Sequence, residues 1–334
     1  MKSRRVSVIA ALLSFLSLSV SPASGAAAGK TTARHGAYHG WRAAQFLSNG
    51  RAEVVIVPEI GRVMQFRFAG EEDGPFWENR ALDGRSTDVR TNVWINFGGD
   101  KTWPAPQVDW PKVTPRAWPP PVAFDSMPAA GLDLENSSAG VVAILRSAVD
   151  TNYGIRAVRR ITLDPARPVM TIATTFEKVR GEPVKVAVWV ITQLKDPQGA
   201  YLPVPKISIN PAGFTIVSKS APPSLKVERG LLSLKRDAAT AFKIGNDAES
   251  LLWVGDKHVL RIDTRRAALG EYTHQGNSAE IYTNPDVLPY VELETLGPVA
   301  TLRPGDSLTQ TNTYTLSRRS SAAPEAEARK ILAR

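Results

Sequence analysis

The chain has 334 residues, 41 Lys and Arg against 32 Asp and Glu, and no cysteine. The lack of cysteine excludes a disulfide framework, a thiolate metal site and lipid attachment through an N-terminal cysteine. The formal charge of +9 is spread along the chain rather than gathered in blocks, and no nucleic-acid-binding motif accompanies it. Composition therefore predicts a globular protein stabilised by its apolar core, with no nucleic-acid partner.

Residues 1–28 have the order of a secretory signal peptide. A basic start at residues 2–5 precedes an apolar run over 6–20, and small and polar residues follow as far as 28. The run is short and interrupted by serines, so no stable membrane insertion is expected after cleavage. We therefore expect a periplasmic or secreted protein. The pair Arg4-Arg5 leaves twin-arginine export open beside the general route, although the residues that follow it fit that route less well.

Strand signals dominate the rest of the chain. Short runs rich in Val, Ile, Thr and aromatic residues recur between Gly, Pro, Asn and Asp. In chain order they cover 52–57, 62–68, 140–147, 155–163, 169–176, 185–193, 251–254, 259–263, 278–283, 290–295 and 307–316. Helical periodicity is absent outside the signal and the last sixteen residues, so alternating strand and helix units are not expected.

The alternation within these runs predicts the fold class. In 155–163 the basic residues fall largely between apolar ones, which is typical of an antiparallel sheet with one buried and one solvated face. More than ten such strands without helices predict an all-β protein, a large antiparallel β-sandwich. No linker divides 30–318, which we interpret as one domain. Residues 319–334 are interpreted as a flexible C-terminal tail or a short helix.

A stretch rich in proline and tryptophan, 103–128, is too aromatic for a linker. Just before it, a Gly-Gly turn is followed by a charged pair and an indole. Sugars bind to such groups, because their CH faces pack on indole and their hydroxyls need donors and acceptors. The alternative is that the tryptophans wedge a long loop against the sandwich. The candidate carbohydrate-binding residues are Asp100, Lys101, Trp103, Gln107, Trp189 and Gln193.

Two parts of the chain resemble the galactose-mutarotase-like superfamily, in which aldose 1-epimerases are the best understood members. The first comprises VPEIGRVM at 57–64 and NFGGDKTWPAPQ at 96–107; the second comprises YVELETLGP at 290–298 and LRPGDS at 302–307. These segments are similar to a bacterial family of unassigned function within that superfamily. The resemblance implies a galactose-mutarotase-like sandwich with a concave face that binds a carbohydrate ligand.

The resemblance also implies a catalytic base. Mutarotation needs a base for the anomeric hydroxyl proton and an acid for the ring oxygen. In aldose 1-epimerases the base is a Glu on a late strand, and the context of Glu294 resembles it. Glu292, two residues earlier, points to the same side of a strand, and the pair would raise one pKa by mutual repulsion. The alternative is that one or both carboxylates lie on a solvated face.

The acid is less clear from the sequence. Aldose 1-epimerases supply a His from a central strand, and the corresponding residues 187–193 contain none. His274 in a polar loop, or Lys101, is the candidate acid. Arg156 is a candidate for an anionic group of the ligand, because a guanidinium forks onto carboxylates and phosphates. No metal-loop spacing occurs, so no metal and no cofactor is expected.

Three functions therefore remain open at this level. The first is an aldose-epimerase-like conversion of a sugar with Glu294 as general base. The second is a carbohydrate-binding protein that keeps the concave site but has lost the acid. The third is a structural or envelope-associated protein without a small ligand.

Overall fold

The computed structural model describes residues 30–91 and 93–333. The predicted signal peptide, 1–28, lies outside the described residues. In chain order the strands are β1 (Thr32–Tyr38), β2 (Trp41–Ser48), β3 (Ala52–Val57), β4 (Arg62–Phe68), β5 (Asp100–Ala105), β6 (Gly131–Ser137), β7 (Gly140–Arg146), β8 (Ile155–Leu163), β9 (Val169–Lys178), β10 (Val184–Lys195), β11 (Gly199–Pro203), β12 (Thr215–Ile216), β13 (Lys226–Glu228), β14 (Leu231–Leu234), β15 (Phe242–Asn246), β16 (Ser250–Val254), β17 (His258–Thr264), β18 (Ala279–Thr283), β19 (Tyr290–Leu296), β20 (Ala300–Leu302) and β21 (Ser307–Arg318).

Helices are few and short. The α-helices are α1 (Trp110–Val113), α2 (Val122–Asp125) and α3 (Pro324–Leu332). Single turns of 3-10 helix cover Pro58–Ile60, Arg80–Leu82, Gln107–Asp109 and His274–Gly276.

The strands form two large antiparallel sheets. The first has eleven strands in the order β1-β2-β3-β4-β5-β10-β19-β18-β15-β12, with β20 paired to β10; the second has ten, in the order β13-β14-β11-β16-β17-β21-β9-β8-β7-β6. The sheets pack face to face over an apolar core drawn from alternate positions of both. The prediction of an all-β antiparallel sandwich is confirmed.

The core follows the alternation of the sequence. In β8, Ile155, Ala157, Ile161 and Leu163 are buried, whereas the residues between them are more exposed, with the exception of Arg159. Burial of one large apolar side chain contributes about 1.5–3 kcal/mol. This repeated contribution stabilises a chain that has no disulfides.

A buried polar cluster joins the two sheets. Asp100, at the start of β5, points into the space between them and is fully buried. Its carboxylate accepts hydrogen bonds from Thr192 at 2.6 Å and from Tyr314 of the second sheet at 2.7 Å. Arg159, also on the second sheet, forms an ion pair with the same carboxylate. Asp100 therefore connects the two sheets. Its carboxylate is bound by three partners within the protein.

Residues 98–105 were expected to form a turn and loop but contain an internal strand. β5 pairs with β10 over its whole length, and Pro104 lies opposite Val188. A proline normally argues against an internal strand because it lacks an N–H donor. Here the only β4 partner along β5 is Val63, opposite Asp100, so no neighbour on that side requires a donor from Pro104.

The described C-terminal residues include a helix that packs on the second sheet. Helix α3 buries Ala328 and Ile331 against apolar residues of β11, β16 and β17. The Arg329 guanidinium donates to the carbonyls of Glu228 and Arg229 at 2.7 and 3.1 Å. These contacts dock Pro324–Leu332 on the sandwich. The domain limits at 30 and 318 stay a prediction.

Candidate functional site

Five neighbouring strands of the first sheet bring charged residues onto the side that faces away from the core. In the register of the sheet, Ile191 of β10 lies between Lys101 of β5 and Glu294 of β19, and Glu294 lies opposite Glu280 of β18. Directly paired residues point to the same side of a sheet. We call this side the polar face. It comprises Lys101, Trp103, Trp189, Gln193, Lys243, Glu280, Glu292 and Glu294.

Glu294 lies at the centre of the polar face and is fully buried. Its Oε2 accepts from the Trp189 indole N–H at 2.8 Å and from Lys243 Nζ at 2.7 Å, whereas its Oε1 has no partner among the described residues. Burial raises the pKa of Glu294 to about 8; the Lys243 ammonium opposes this, and the carboxylates of Glu280 and Glu292 add to it. The result is a carboxylate with one free oxygen and a weakened acidity.

Glu280 lies on the other side of the same ammonium. Its Oε2 is 3.4 Å from Lys243 Nζ, and both of its oxygens are 3.0 Å from His274 Nδ1. Asn277 also donates to it at 2.9 Å. Burial alone would raise the pKa of Glu280. Lys243 and His274 favour the ionised form, so this pKa falls to about 2. The pKa values of the two carboxylates that contact Lys243 are thus shifted in opposite directions.

His274 reaches the polar face from the 3-10 turn before β18. Its ring lies perpendicular to that of Trp189, with centroids 5.7 Å apart, and its side chain is 18% exposed. Because Nδ1 faces Glu280, Nε2 is the nitrogen turned towards other partners. The positive backbone φ of 48° at His274 belongs to the tight turn that aims the ring at Glu280.

Lys101 occupies the opposite end of the polar face. Its side chain is fully buried, and its Nζ lies 4.4 Å from the ring centroid of Trp103 and 5.2 Å from that of Trp94. The nearest carboxylate oxygen, Oδ1 of Asp125, is 3.8 Å away, and Nζ makes no hydrogen bond. Burial lowers the pKa of Lys101 to about 8, with Asp125 opposing and Arg62 adding to the effect.

Asp125, at the end of α2, binds the side chains around Lys101. Its Oδ1 accepts from the Arg62 guanidinium at 3.0 Å and from the Trp103 indole at 2.9 Å. Arg62 also donates to the carbonyl of Gly98 at 2.6 Å. Asp125 is therefore already satisfied by two donors, which leaves Lys101 without a close acceptor.

Tryptophans form a wall along the Lys101 end. Trp103 meets Trp189 edge to face at 5.3 Å, Trp110 at 5.7 Å and Trp118 at 5.9 Å. Trp118 in turn contacts Trp94. The tryptophans were predicted either to bind a sugar or to hold a long loop on the sandwich. These indoles pack the loop onto the sandwich and also line the polar face, so their positions are compatible with both interpretations.

Solvent reaches the polar face at its Lys243 and His274 end. Lys243 is 17% exposed and Glu292 is almost buried, with Gln193 donating to Glu292 at 2.9 Å. Along β19 the next residue on the same side, Tyr290, packs on Trp77, with ring centroids 4.7 Å apart. Trp77 also lines a cleft of about 320 Å³ at the end of β10.

Three of the predicted residues lie away from this group. Asp100 and Lys101 are consecutive in a strand, so they point to opposite sides, and Asp100 lies in the core between the sheets. Arg156 lies on β8 of the second sheet, where it forms an ion pair with Glu177 at 3.0 Å. Gln107 follows β5 in a 3-10 turn and is half-buried. Asp100 and Arg156 therefore lie apart from the polar face.

The sequence interpretation missed four residues of the site. Lys243 and Glu280 each stand alone between apolar neighbours in a strand, which was a signal that they share one side of a sheet. Arg62 and Asp125 gave no such signal, because they are 63 residues apart and meet only in the fold.

Two further structural findings concern metals and membranes. Within 30–91 and 93–333, no group of three or more His, Asp or Glu side chains is arranged to hold a metal ion. In the same residues, no helix is long and apolar enough to cross a membrane.

The fold is that of the galactose-mutarotase-like proteins. Comparison with models of known families and with curated proteins finds no match. Among solved structures, a putative aldose 1-epimerase from Klebsiella pneumoniae superposes with a TM-score of 0.56 at 12% identity, over 91% of this chain and 87% of that one. A galactose mutarotase-like protein from Lactobacillus casei superposes with a TM-score of 0.53 at 10% identity, over 82% and 100%.

A third similar structure belongs to a longer protein. A TPR-domain containing protein from Parabacteroides distasonis superposes with a TM-score of 0.56 at 13% identity, over 83% of this chain. The match spans only 47% of that protein. At these identities the similarities establish the fold, and the function must be argued from the site.

Proposed function

We propose that the protein, exported as its first 28 residues predict, binds a monosaccharide on the polar face and interconverts its anomers. Glu294 is the general base and His274 the general acid. The observation that carries the proposal is the pair of buried carboxylates on either side of Lys243: one has a free oxygen and a raised pKa, and the other holds a histidine. Such oppositely tuned pairs are typical of acid–base catalysis.

The base step uses the free oxygen of Glu294. An anomeric hydroxyl is a donor, and Oε1 of Glu294 is a buried acceptor without one. Transfer of that proton to the ionised carboxylate lets the bond between the anomeric carbon and the ring oxygen break, which yields the open-chain aldehyde. Lys243 holds Oε2 and so keeps Oε1 directed at the sugar.

The acid step uses the ring of His274. Glu280 accepts a hydrogen bond from Nδ1–H, so in the protonated ring Nε2–H is the donor for the ring oxygen as the bond breaks. After rotation about the bond to the aldehyde carbon, the ring closes on the other face. His274 then recovers its proton from the attacking hydroxyl, and Glu294 returns its proton to the new anomeric oxygen, so no proton is gained or lost.

Similar proteins support the choice of reaction class. Two of the structures that share this fold are described as a putative aldose 1-epimerase and a galactose mutarotase-like protein. In the present chain the histidine comes from a loop before β18 rather than from the central strand β10. We propose that this loop residue fills the place of the acid that residues 187–193 lack.

The test is anomer exchange followed by proton NMR with a panel of hexoses and uronates. We expect the wild type to accelerate exchange, and Glu294→Gln and His274→Gln each to lower the rate by about 10²-fold or more, the usual worth of a positioned acid or base. His258→Gln is the matched control, because that residue pairs with Glu71 outside the polar face. Full activity in either site variant would contradict the assignment of that residue.

The alternative is a carbohydrate-binding protein without catalysis. It is favoured by the indole wall and by the absence of a histidine on β10. Sugar binding in calorimetry without any anomer exchange would establish it. If no sugar binds and none is converted, both proposals fail and a structural role takes their place.

A further inference from the structure

We propose that the natural ligand is an acidic monosaccharide with one carboxylate, such as a uronate, and that Lys101 binds that carboxylate. This inference rests on the proposed function, since it names the class of sugar that the polar face accepts. It is carried by the way charges and unpaired atoms are distributed between the two ends of that face.

The Lys101 end has an excess of positive charge. Arg62 and Lys101 are both fully buried there, and the one carboxylate within ion-pair distance of them is Asp125. Glu292 acts on both cations, and Glu294 on Lys101, from further along the sheet. At close range, two cations therefore share one anion. Because Asp125 accepts from Arg62 and Trp103, the unmatched charge is that of Lys101.

The Glu294 end has the opposite imbalance. Lys243 faces Glu280 and Glu294, His274 pairs with Glu280, and Glu292 accepts from the neutral Gln193. Three carboxyl groups against one lysine and one histidine leave acceptors in excess. The polar face therefore presents a positive and a negative end to a single ligand.

The unpaired atoms follow the same division. At one end Lys101 Nζ is a buried donor without an acceptor; at the other, Oε1 of Glu294 and Oε1 of Gln193 are buried acceptors without donors. Buried charged groups are strongly disfavoured unless they are paired. Sugar hydroxyls supply donors to Glu294 and Gln193, but only an anionic group compensates the charge of Lys101.

The spacing fits one sugar ring. Lys101 and Glu294 lie on the two strands that flank β10, both opposite Ile191, so their backbones are two strand spacings apart, about 10 Å. Their side chains extend from the same side of the sheet. In a pyranuronate the carboxylate and the anomeric hydroxyl are attached on either side of the ring oxygen. A carboxylate at Lys101 thus places the anomeric hydroxyl towards Glu294.

The single unpaired positive charge of Lys101 also favours a carboxylate over a phosphate. A carboxylate neutralises a single positive charge, whereas a phosphate monoester at neutral pH carries up to two negative charges and leaves an excess. Arg62 is held by Asp125 and by Gly98, so it does not supply the second cation. The geometry therefore points to a carboxylate rather than a phosphate.

The experiment measures binding of D-glucuronate, D-galacturonate, D-glucose, D-galactose and glucose 6-phosphate by calorimetry. We expect the wild type to bind at least one uronate about 10-fold or more tightly than its neutral counterpart. Lys101→Met removes the charge with little change of shape, so it should weaken uronate binding more than neutral-sugar binding and abolish this preference. Lys185→Met is the control, since that lysine is exposed on β10 and pairs with Glu271; it should keep the preference.

Titration in pH gives a second measurement that uses no Lys101 variant. The ratio of uronate to neutral-sugar affinity in the wild type should fall as the pH rises through about 8, because Lys101 then loses its proton; Asp125, Arg62, Glu292 and Glu294 are the charged groups that act on it. Ionisation of Glu294 in the same window also disfavours the anionic sugar, so the ratio is measured in Glu294→Gln as well, where the fall should persist. A ratio that stays constant from pH 6.5 to 9 contradicts the proposal, even if Lys101→Met fails to fold.

Other outcomes separate this inference from the proposed function. Equal affinity for uronates and neutral sugars, or a preference that survives in Lys101→Met, overturns the inference while sugar binding itself stands. Tighter binding of glucose 6-phosphate than of either uronate overturns the choice of carboxylate. Failure of all five sugars to bind refutes both.

Discussion

Glu280 and Glu294 show how one ammonium can tune two carboxylates in opposite directions. Both are fully buried and both contact Lys243, yet the pKa of Glu280 falls to about 2 and that of Glu294 rises to about 8. The difference arises because Glu280 has further donors in His274 and Asn277, whereas one oxygen of Glu294 has none. A carboxylate that is left short of donors therefore binds its proton more tightly than one that is fully hydrogen-bonded.

This argument predicts a pH-dependent effect of Glu294→Gln on stability. The pKa of Glu294 rises from 4.5 to about 8 on folding, so the folded state binds the proton more tightly and stability falls as the pH rises through that window. Glutamine does not ionise and escapes the loss. We expect the melting temperature of the variant, relative to wild type, to increase between pH 5 and pH 9 by several degrees, since about 1 kcal/mol corresponds to roughly 2–4 °C.

Differential scanning calorimetry at pH 5, 7 and 9 checks this prediction. Glu135→Gln is the control, because Glu135 is an exposed carboxylate on β6 whose partner is Arg160; its difference from wild type should change little with pH. A Glu294→Gln difference that is constant or shrinks towards pH 9 would show that the carboxylate ionises freely in the fold.

The sequence predicted some site residues and not others for a physical reason. The period of two along a strand places Glu292 with Glu294, and both lie on the polar face. The same period separates Asp100 from Lys101, which was overlooked because those residues were expected to lie in a turn. Partners such as Lys243 depend on which strands become neighbours, and local pattern does not encode that.

At the scale of elements, the predicted runs coincide with strands inside the sheets. The runs at 52–57, 62–68 and 155–163 coincide with β3, β4 and β8, which are flanked by partners on both sides. None of the four edge strands, β1 and β12 of the first sheet and β13 and β6 of the second, has a predicted run, and neither have the internal strands β2, β5, β11, β14 and β15. An edge strand buries few residues, so it lacks the apolar alternation on which such predictions rely; β6 is mostly exposed.

Helix α3 provides the prediction at this scale. Ile331 is buried against the second sheet, so Ile331→Ala should lower the free energy of unfolding by about 2 kcal/mol, the lower end for such truncations because the site is at the surface of the sandwich. Urea denaturation measures it. Lys330→Ala is the control on the exposed side of the helix and should change stability by less than about 0.5 kcal/mol. Equal effects of the two substitutions would mean that α3 is not docked in solution.

At the scale of the whole molecule, the two-sheet architecture followed from the number of alternating strands, but the strand order did not. β5 pairs with β10, and β10 pairs with β19, across long stretches of chain. The link between the sheets through Asp100 is equally non-local: its partners Arg159 and Tyr314 lie on β8 and β21. Such contacts arise from topology and have no local sequence signal.

This link predicts strong coupling between Asp100 and Arg159. Asp100→Asn leaves the Arg159 guanidinium buried and uncompensated, so we expect a loss of about 3–5 kcal/mol in the free energy of unfolding. The double variant Asp100→Asn/Arg159→Met removes both charges and should recover part of that loss. Denaturant unfolding of the two single variants and the double variant gives the coupling energy. Strict additivity would show that the pair contributes nothing jointly.

The clustering of indoles along the polar face also gives the protein an optical property. Five of the eight tryptophans, Trp94, Trp103, Trp110, Trp118 and Trp189, are joined by ring contacts at this face. Neighbouring ammonium and carboxylate groups quench or shift indole fluorescence, and Trp189 donates directly to Glu294. We therefore expect the intrinsic emission of the chain to change with the protonation of this region, without any added dye.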